Sequence, residues 1–168
     1  MTGTQNTTET TDESDDSVTL VVNLETLLSA MRRNARDKDT RQNYRLRFSR
    51  PLEGRVTASL HVHQQDTYWP NPATDPFTLV PEQLIEDDPS VLTEYPEPRQ
   101  VRKAAKEVDG VEALDDVSDE TLNECWDVHI EVWEGAVRKA LKPEVDIHER
   151  SHGPNVKPRI LPVEYTSE

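Results

Sequence analysis

The sequence predicts an α+β domain: a small antiparallel sheet built as strand, helix and β-hairpin, with two further helices packed on one face and a disordered acidic tail ahead of it. Three observations lead there. Two period-2 runs, at 44–48 and 56–62, flank a short turn ending in Gly54, the pattern of an antiparallel hairpin. A segment at 119–142 keeps its apolar side chains on the helical period for more than two heptads. Residues 1–17 carry five carboxylates and, beyond Met1, no apolar or basic side chain, so nothing there offsets the entropy of ordering.

Taken in order, Val18-Thr-Leu-Val-Val22 reads as a short β-branched strand. Asn23 is placed to cap the helix that follows, where Leu24, Leu27, Leu28 and Met31 form one apolar stripe. In the hairpin Tyr44, Leu46 and Phe48 alternate with Arg45 and Arg47, and Val56, Ala58, Leu60 and Val62 alternate with Thr57, Ser59, His61 and His63. One face is therefore apolar and the other carries arginines and histidines. Six of the twelve prolines fall between Pro70 and Pro96, which predicts a long loop with one helical turn at 81–86, pinned to the body by Tyr68 and Trp69.

Pro98 suits the first turn of a helix ending near Val108, with Gly110 in its C-cap region. In 119–142 a strand would explain the alternation of Trp126, Val128, Ile130 and Val132, but a helix explains both its faces. Leu122, Trp126, Ile130, Trp133, Val137 and Leu141 line one side and Glu124, Asp127, Glu131, Glu134 and Arg138 the other. The helix is therefore preferred, capped by Ser118 or Asp119 and stopped by Pro143. The domain body is expected at 18–150, followed by an extended Pro-rich C-terminal tail at 151–168, the whole stretch 144–168 reading as extended chain that can form an edge strand.

Composition bounds the function. With 168 residues and 33% hydrophobic content there is one lean core. The formal net charge is −14, and lysine appears only six times among 19 basic residues. Self-repulsion of that size is screened in concentrated salt, and an acidic, lysine-poor surface resembles proteins of a halophile's cytosol. Cys125 alone allows no intrachain disulfide, and the first residues lack the basic and apolar regions of a secretory signal. A cytoplasmic protein without membrane association is expected.

Four features bear on chemistry. Between Met31 and Arg55 lie nine basic side chains against three acidic ones. Arg32, Arg33, Arg36, Arg45 and Arg47, with His61 and His63 on the adjoining strand, are candidates for binding carboxylates of the protein itself or of a partner, or the phosphates of a nucleic acid. His61-x-His63 would put two imidazoles on one strand face, a metal pair if a third ligand joined them. His148-Glu149-Arg150-Ser151-His152 resembles the zincin metalloprotease signature over these five residues. The resemblance implies zinc held by His148 and His152 on one helix, with Glu149 as general base and Glu164 a nominal third ligand. Val145 and Ile147 before it alternate as in a strand, and Gly153-Pro154 follows it. Trp126 and Trp133, one heptad apart, mark a packing seam or a surface for a protein partner or self-association; Cys125 and His129 accompany them as core residues. The leading expectation is a non-enzymatic interaction or regulatory module without a cofactor. A small zinc hydrolase and a nucleic-acid accessory protein are the alternatives.

Overall fold

A computed structural model describes Gly3 and residues 17–37, 43–63, 76–88, 93–150 and 156–167; for 148–150 and 156–158 it describes the backbone alone. The acidic tail, and with it Tyr68, Trp69 and His152, lies outside the described residues, apart from Gly3 and Ser17. The fold is α+β, with three helices and two sheets where one was expected. In chain order the elements are β1 (Val18–Asn23), α1 (Leu24–Arg36), β2 (Asn43–Phe48), β3 (Gly54–Thr57), β4 (Ser59–His63), β5 (Phe77–Leu79), α2 (Pro98–Asp109), α3 (Asp119–Lys139), β6 (Glu144–Arg150) and β7 (Val156–Thr166).

The hairpin forms, with β2 antiparallel to β4 from Asn43 opposite His63 to Arg47 opposite Ser59. Its second strand is cut at Ala58, a buried residue whose N–H donates to the Val21 carbonyl at 2.8 Å. Before that point the chain belongs to another sheet, where β3 runs parallel to β1. The first sheet therefore has the order β3-β1-β7-β6 and the second β4-β2-β5. Strand β1 has parallel neighbours on both sides, and Val18, Leu20, Val21 and Val22 are all buried, as a strand covered on both faces requires.

The C-terminal stretch is strand β7, and it lies inside the sheet, not at its edge. From Val156 to Pro162 it pairs with β6 alone; from Val163 to Thr166 it pairs with β1. Pro158 and Pro162 fall in the half with one neighbour, where a missing N–H can face the open side. Leu161 and Val163 join the core.

Helix α1 starts where Asn23 Oδ1 accepts the Thr26 N–H at 3.2 Å, and it buries Leu27, Leu28 and Ala30. Helix α3 is continuous, capped by the Ser118 hydroxyl, and contributes Trp133 and Val137 to the core shared with Leu20, Leu27, Leu46 and Phe48. Helix α2 packs on α3 instead of on a sheet, because its buried stripe is only Val101 and Ala105. Gly110 closes α2 in the left-handed conformation at φ 66°, and the Asp109 carboxylate then accepts from Ser118 N at 2.9 Å and Thr121 Oγ1 at 2.6 Å, fixing the turn into α3.

One side chain substitutes for a strand. β5 covers β2 only from Leu46 to Phe48, so among the described residues Tyr44 has no strand beside it on that side. Asn34 of α1 fills the gap: its Oδ1 accepts the Tyr44 N–H at 2.6 Å and its Nδ2 donates to the Tyr44 carbonyl at 2.9 Å. Asn34→Ala leaves two backbone groups of a buried residue unpaired and is expected to cost about 1–3 kcal/mol. Asn34→Asp, which keeps the acceptor only, should fall between the two in urea melts; equal midpoints for all three would mean that water replaces the carboxamide.

Candidate functional site

The polar face of the second sheet is built by strand alternation. Tyr44, Leu46 and Phe48 are buried toward α1 and the core, so Arg45 and Arg47 must project from the opposite face. Register places His61 opposite Arg45, His63 opposite Asn43, and both Ser59 and Thr78 opposite Arg47. The positions on this face of the three strands thus carry two guanidinium groups, two imidazoles, an amide and two hydroxyls, and no carboxylate. The His61 and His63 rings stand edge to face with centroids 6.3 Å apart.

All four cationic or titratable side chains are half-buried. Among the described residues the Nε atoms of Arg45 and Arg47 and the Oδ1 of Asn43 are shielded from solvent without a hydrogen-bond partner. Donors held that way are the ones an incoming oxyanion would satisfy, since leaving them unpaired is costly. Burial, then the charges of Arg47, His63 and Arg45, hold His61 below its ordinary value; burial and Arg45 do the same for His63. Both imidazoles are therefore largely neutral at pH 7, and an anion placed among these groups would raise their affinity for protons.

The other basic side chains are drawn elsewhere. Arg32 reaches Glu134 of α3 at 3.1 Å with its guanidinium 6.0 Å from the Trp133 ring, Arg33 lies 5.3 Å over the Tyr44 ring, and Arg36 donates to the Tyr95 hydroxyl at 3.3 Å. Arg55 donates to Glu164 at 2.8 Å. The basic segment is thus divided: the α1 arginines lie on the other side of β2 from Arg45 and Arg47, and most of them meet groups of the protein itself. Lys38 and Arg41 lie outside the described residues.

The first three residues of the zincin-like motif are strand, not the helix that its chemistry needs, and Ser151 and His152 lie outside the described residues. His148 and Glu149 lie on strand β6, opposite Pro158 and Lys157, because burial of Val145 and Ile147 at 4% and 2% exposure imposes strand alternation. Glu164, the nominal third ligand, is engaged by Arg55. Among the described residues no group of three or more His, Cys, Asp and Glu side chains is placed to hold a metal ion, His61 and His63 included.

Trp133 is 2% exposed and donates from Nε1 to the Thr93 carbonyl at 3.1 Å, while Trp126 is half-buried. Tyr95 packs on both, with ring centroids 5.0 Å from Trp133 and 6.3 Å from Trp126. The tryptophans therefore hold down the segment 93–97. The sequence reading missed this role of Tyr95; its one signal was a lone aromatic within the acidic, Pro-containing stretch Thr93-Glu-Tyr-Pro-Glu-Pro98. His129 Nδ1 lies 2.8 Å from the Cys125 backbone carbonyl, to which it can only donate. No described helix is long and apolar enough to cross a membrane.

The model of a family described as Domain of unknown function (DUF8009) matches residues 6–162. No curated protein and no solved structure matches the chain.

Proposed function

The chain belongs to the DUF8009 family, a membership that brings no activity with it, and from the geometry alone we propose a non-enzymatic interaction module that docks a carboxylate-rich partner protein on the Arg45, Arg47, His61 and His63 face. One observation carries this reading: two arginines whose shielded Nε donors are unsatisfied among the described residues stand on a sheet face whose cross-strand positions supply no acid. Arginine forks match carboxylates bidentately, and partial burial preserves part of that interaction where salt screens exposed charges. The net charge of −14 and scarcity of lysine support a setting in concentrated cytosolic salt. The division of the arginines between two sides of β2 speaks against one continuous phosphate-tracking surface, so an acidic protein is favoured over a nucleic acid.

The test titrates the full chain with poly-glutamate and, separately, with a single-stranded oligonucleotide. Poly-glutamate is expected to bind more tightly, with Arg45→Glu/Arg47→Glu weakening it by about two orders of magnitude, as the loss of two charge-assisted contacts implies. The sign of the pH effect follows from the histidines. Their affinity for protons is lowered in the free protein and restored by the anion, so binding takes up protons and tightens as pH falls from 8 toward 6. Folding responds oppositely: with the folded-state values below the unfolded 6.5, stability is fullest above that pH and declines below it. His61→Asn/His63→Asn should flatten both profiles. Preference for the oligonucleotide, or indifference of poly-glutamate to the arginine pair, would sink the proposal.

A further inference from the structure

A second surface, of opposite sign, lies on α3. On α3 Val128 and Val132 are 59% and 68% exposed and one helical turn apart, so they form a single apolar strip. They are not scattered surface residues. With Pro96, Gln100 and buried Trp133 they line a groove of about 270 Å³, whose rim carries Glu94. The segment 93–97 forms its far wall and is held in place by the Trp133 bond to Thr93 and by the packing of Tyr95. A groove whose walls are tied to the core is present before any ligand arrives, which lowers the ordering cost of filling it.

The charges around the strip decide what fills it. Glu124, Asp127 and Glu131 are exposed beside the valines on α3. Behind the same segment a cavity of about 640 Å³ is lined by Glu82, Glu86, Asp87, Glu94 and Glu97 over Met31 and Ile85. A second copy packed by this same face would set these acids against their own kind, and the cationic β2–β4 face of a copy is a sheet surface without an apolar stripe to fill the groove. The segment 1–17 is acidic and without lysine or arginine, and is repelled in the same way. An anionic lipid surface fails for the same reason. We infer that the Val128–Val132 groove docks an amphipathic helix of a partner protein that carries lysine or arginine beside its apolar stripe. The apolar strip supplies affinity that salt does not screen, and the acidic rim selects the sign of the partner. With the β2–β4 face taking an acidic partner, the protein would bridge two molecules of opposite charge; the groove stands whether or not that other face binds.

The probe is a synthetic leucine–lysine peptide with a helical apolar stripe, titrated into the full-length isotope-labelled chain and followed by backbone amide shifts. Because a chain of charge −14 attracts any cation, two controls define the result: a peptide of the same composition in scrambled order, and Val132→Asp. The ordered peptide is expected to bind about tenfold more tightly than the scrambled one and to move the amides of Gln100, Val128 and Val132 together. Val132→Asp, at a position exposed enough to leave the unfolding midpoint unchanged, should remove that advantage. Equal binding of the two peptides, indifference to Val132→Asp, or concentration-dependent dimerisation abolished by Val132→Asp would each overturn the inference.

Discussion

Removal of residues 156–168 is expected to abolish cooperative unfolding. The segment is strand β7, the neighbour of both β1 and β6. Without it β6 has no strand partner among the described residues, and Val145 and Ile147, now buried, face water beside the gap. Leu161 and Val163 leave the core with it, as does the bond from the Tyr165 hydroxyl to the Lys142 carbonyl at 2.7 Å. Two large apolar side chains contribute about 1.5–3 kcal/mol each on burial. Re-exposure of their partners roughly doubles the loss, to a value comparable with the whole stability of about 5–15 kcal/mol of a domain this size. The truncated chain should give a gradual, non-cooperative change of circular dichroism on heating. Ile160→Asp in the same strand, at a residue 62% exposed, should stay within about 0.5 kcal/mol of wild type. A sharp transition at the wild-type midpoint after truncation would mean that β7 is an accessory to a sheet complete without it.

That strand also marks the boundary of what the sequence makes legible. Elements specified by their own residues read correctly: the α1 stripe with its Asn23 cap, the α3 helix with its Ser118 cap, and the alternation of 44–48. Each is a local pattern with one dominant solution. What failed to read depends on neighbours. Pro154, Pro158 and Pro162 argue for a tail when each is taken alone; only the register, in which β1 joins β7 after Pro162, shows how prolines fit within an interior strand. The change of sheet at Ala58 leaves no mark in the pattern of two, because the alternation continues across it while the hydrogen-bond partner changes from β1 to β2.

The candidate site divides along the same line. That Arg45, Arg47, His61 and His63 share a face follows from period-2 alternation alone. That Arg32, Arg36 and Arg55 are occupied by Glu134, Tyr95 and Glu164 depends on residues 59 to 109 positions away, which no local pattern encodes. The His148-to-His152 motif illustrates the converse error. Five letters imply a helix, but the alternation of Val145 and Ile147, visible in the sequence and enforced by their burial, carries the strand as far as Arg150.

Trp133→Ala is expected to be the most destabilising single substitution on α3, at about 3–5 kcal/mol, enough to lower the thermal midpoint by about 10 °C. The side chain is 2% exposed, and its removal affects three things at once. It empties a volume that neighbours fixed in α1 and α3 cannot collapse to fill. It strands the Thr93 carbonyl, which accepts from Nε1 at 3.1 Å, and it takes the ring from under Arg32 and Tyr95. Trp133→Phe separates these effects, since it keeps most of the apolar volume and a ring for Tyr95 but loses the donor. It should cost about 1–3 kcal/mol, the range for an unpaired partner plus a small void. Trp126→Ala, at a half-buried position, should cost less than either. The order carries the functional point. If Trp133 holds the wall of the Val128–Val132 groove, then Trp133→Phe, still folded at room temperature, must show faster amide exchange across 93–97 than wild type, while the β2–β4 face is unaffected. Unchanged exchange there in a folded Trp133→Phe would mean that Tyr95 alone anchors the segment and that Trp133 serves the core only.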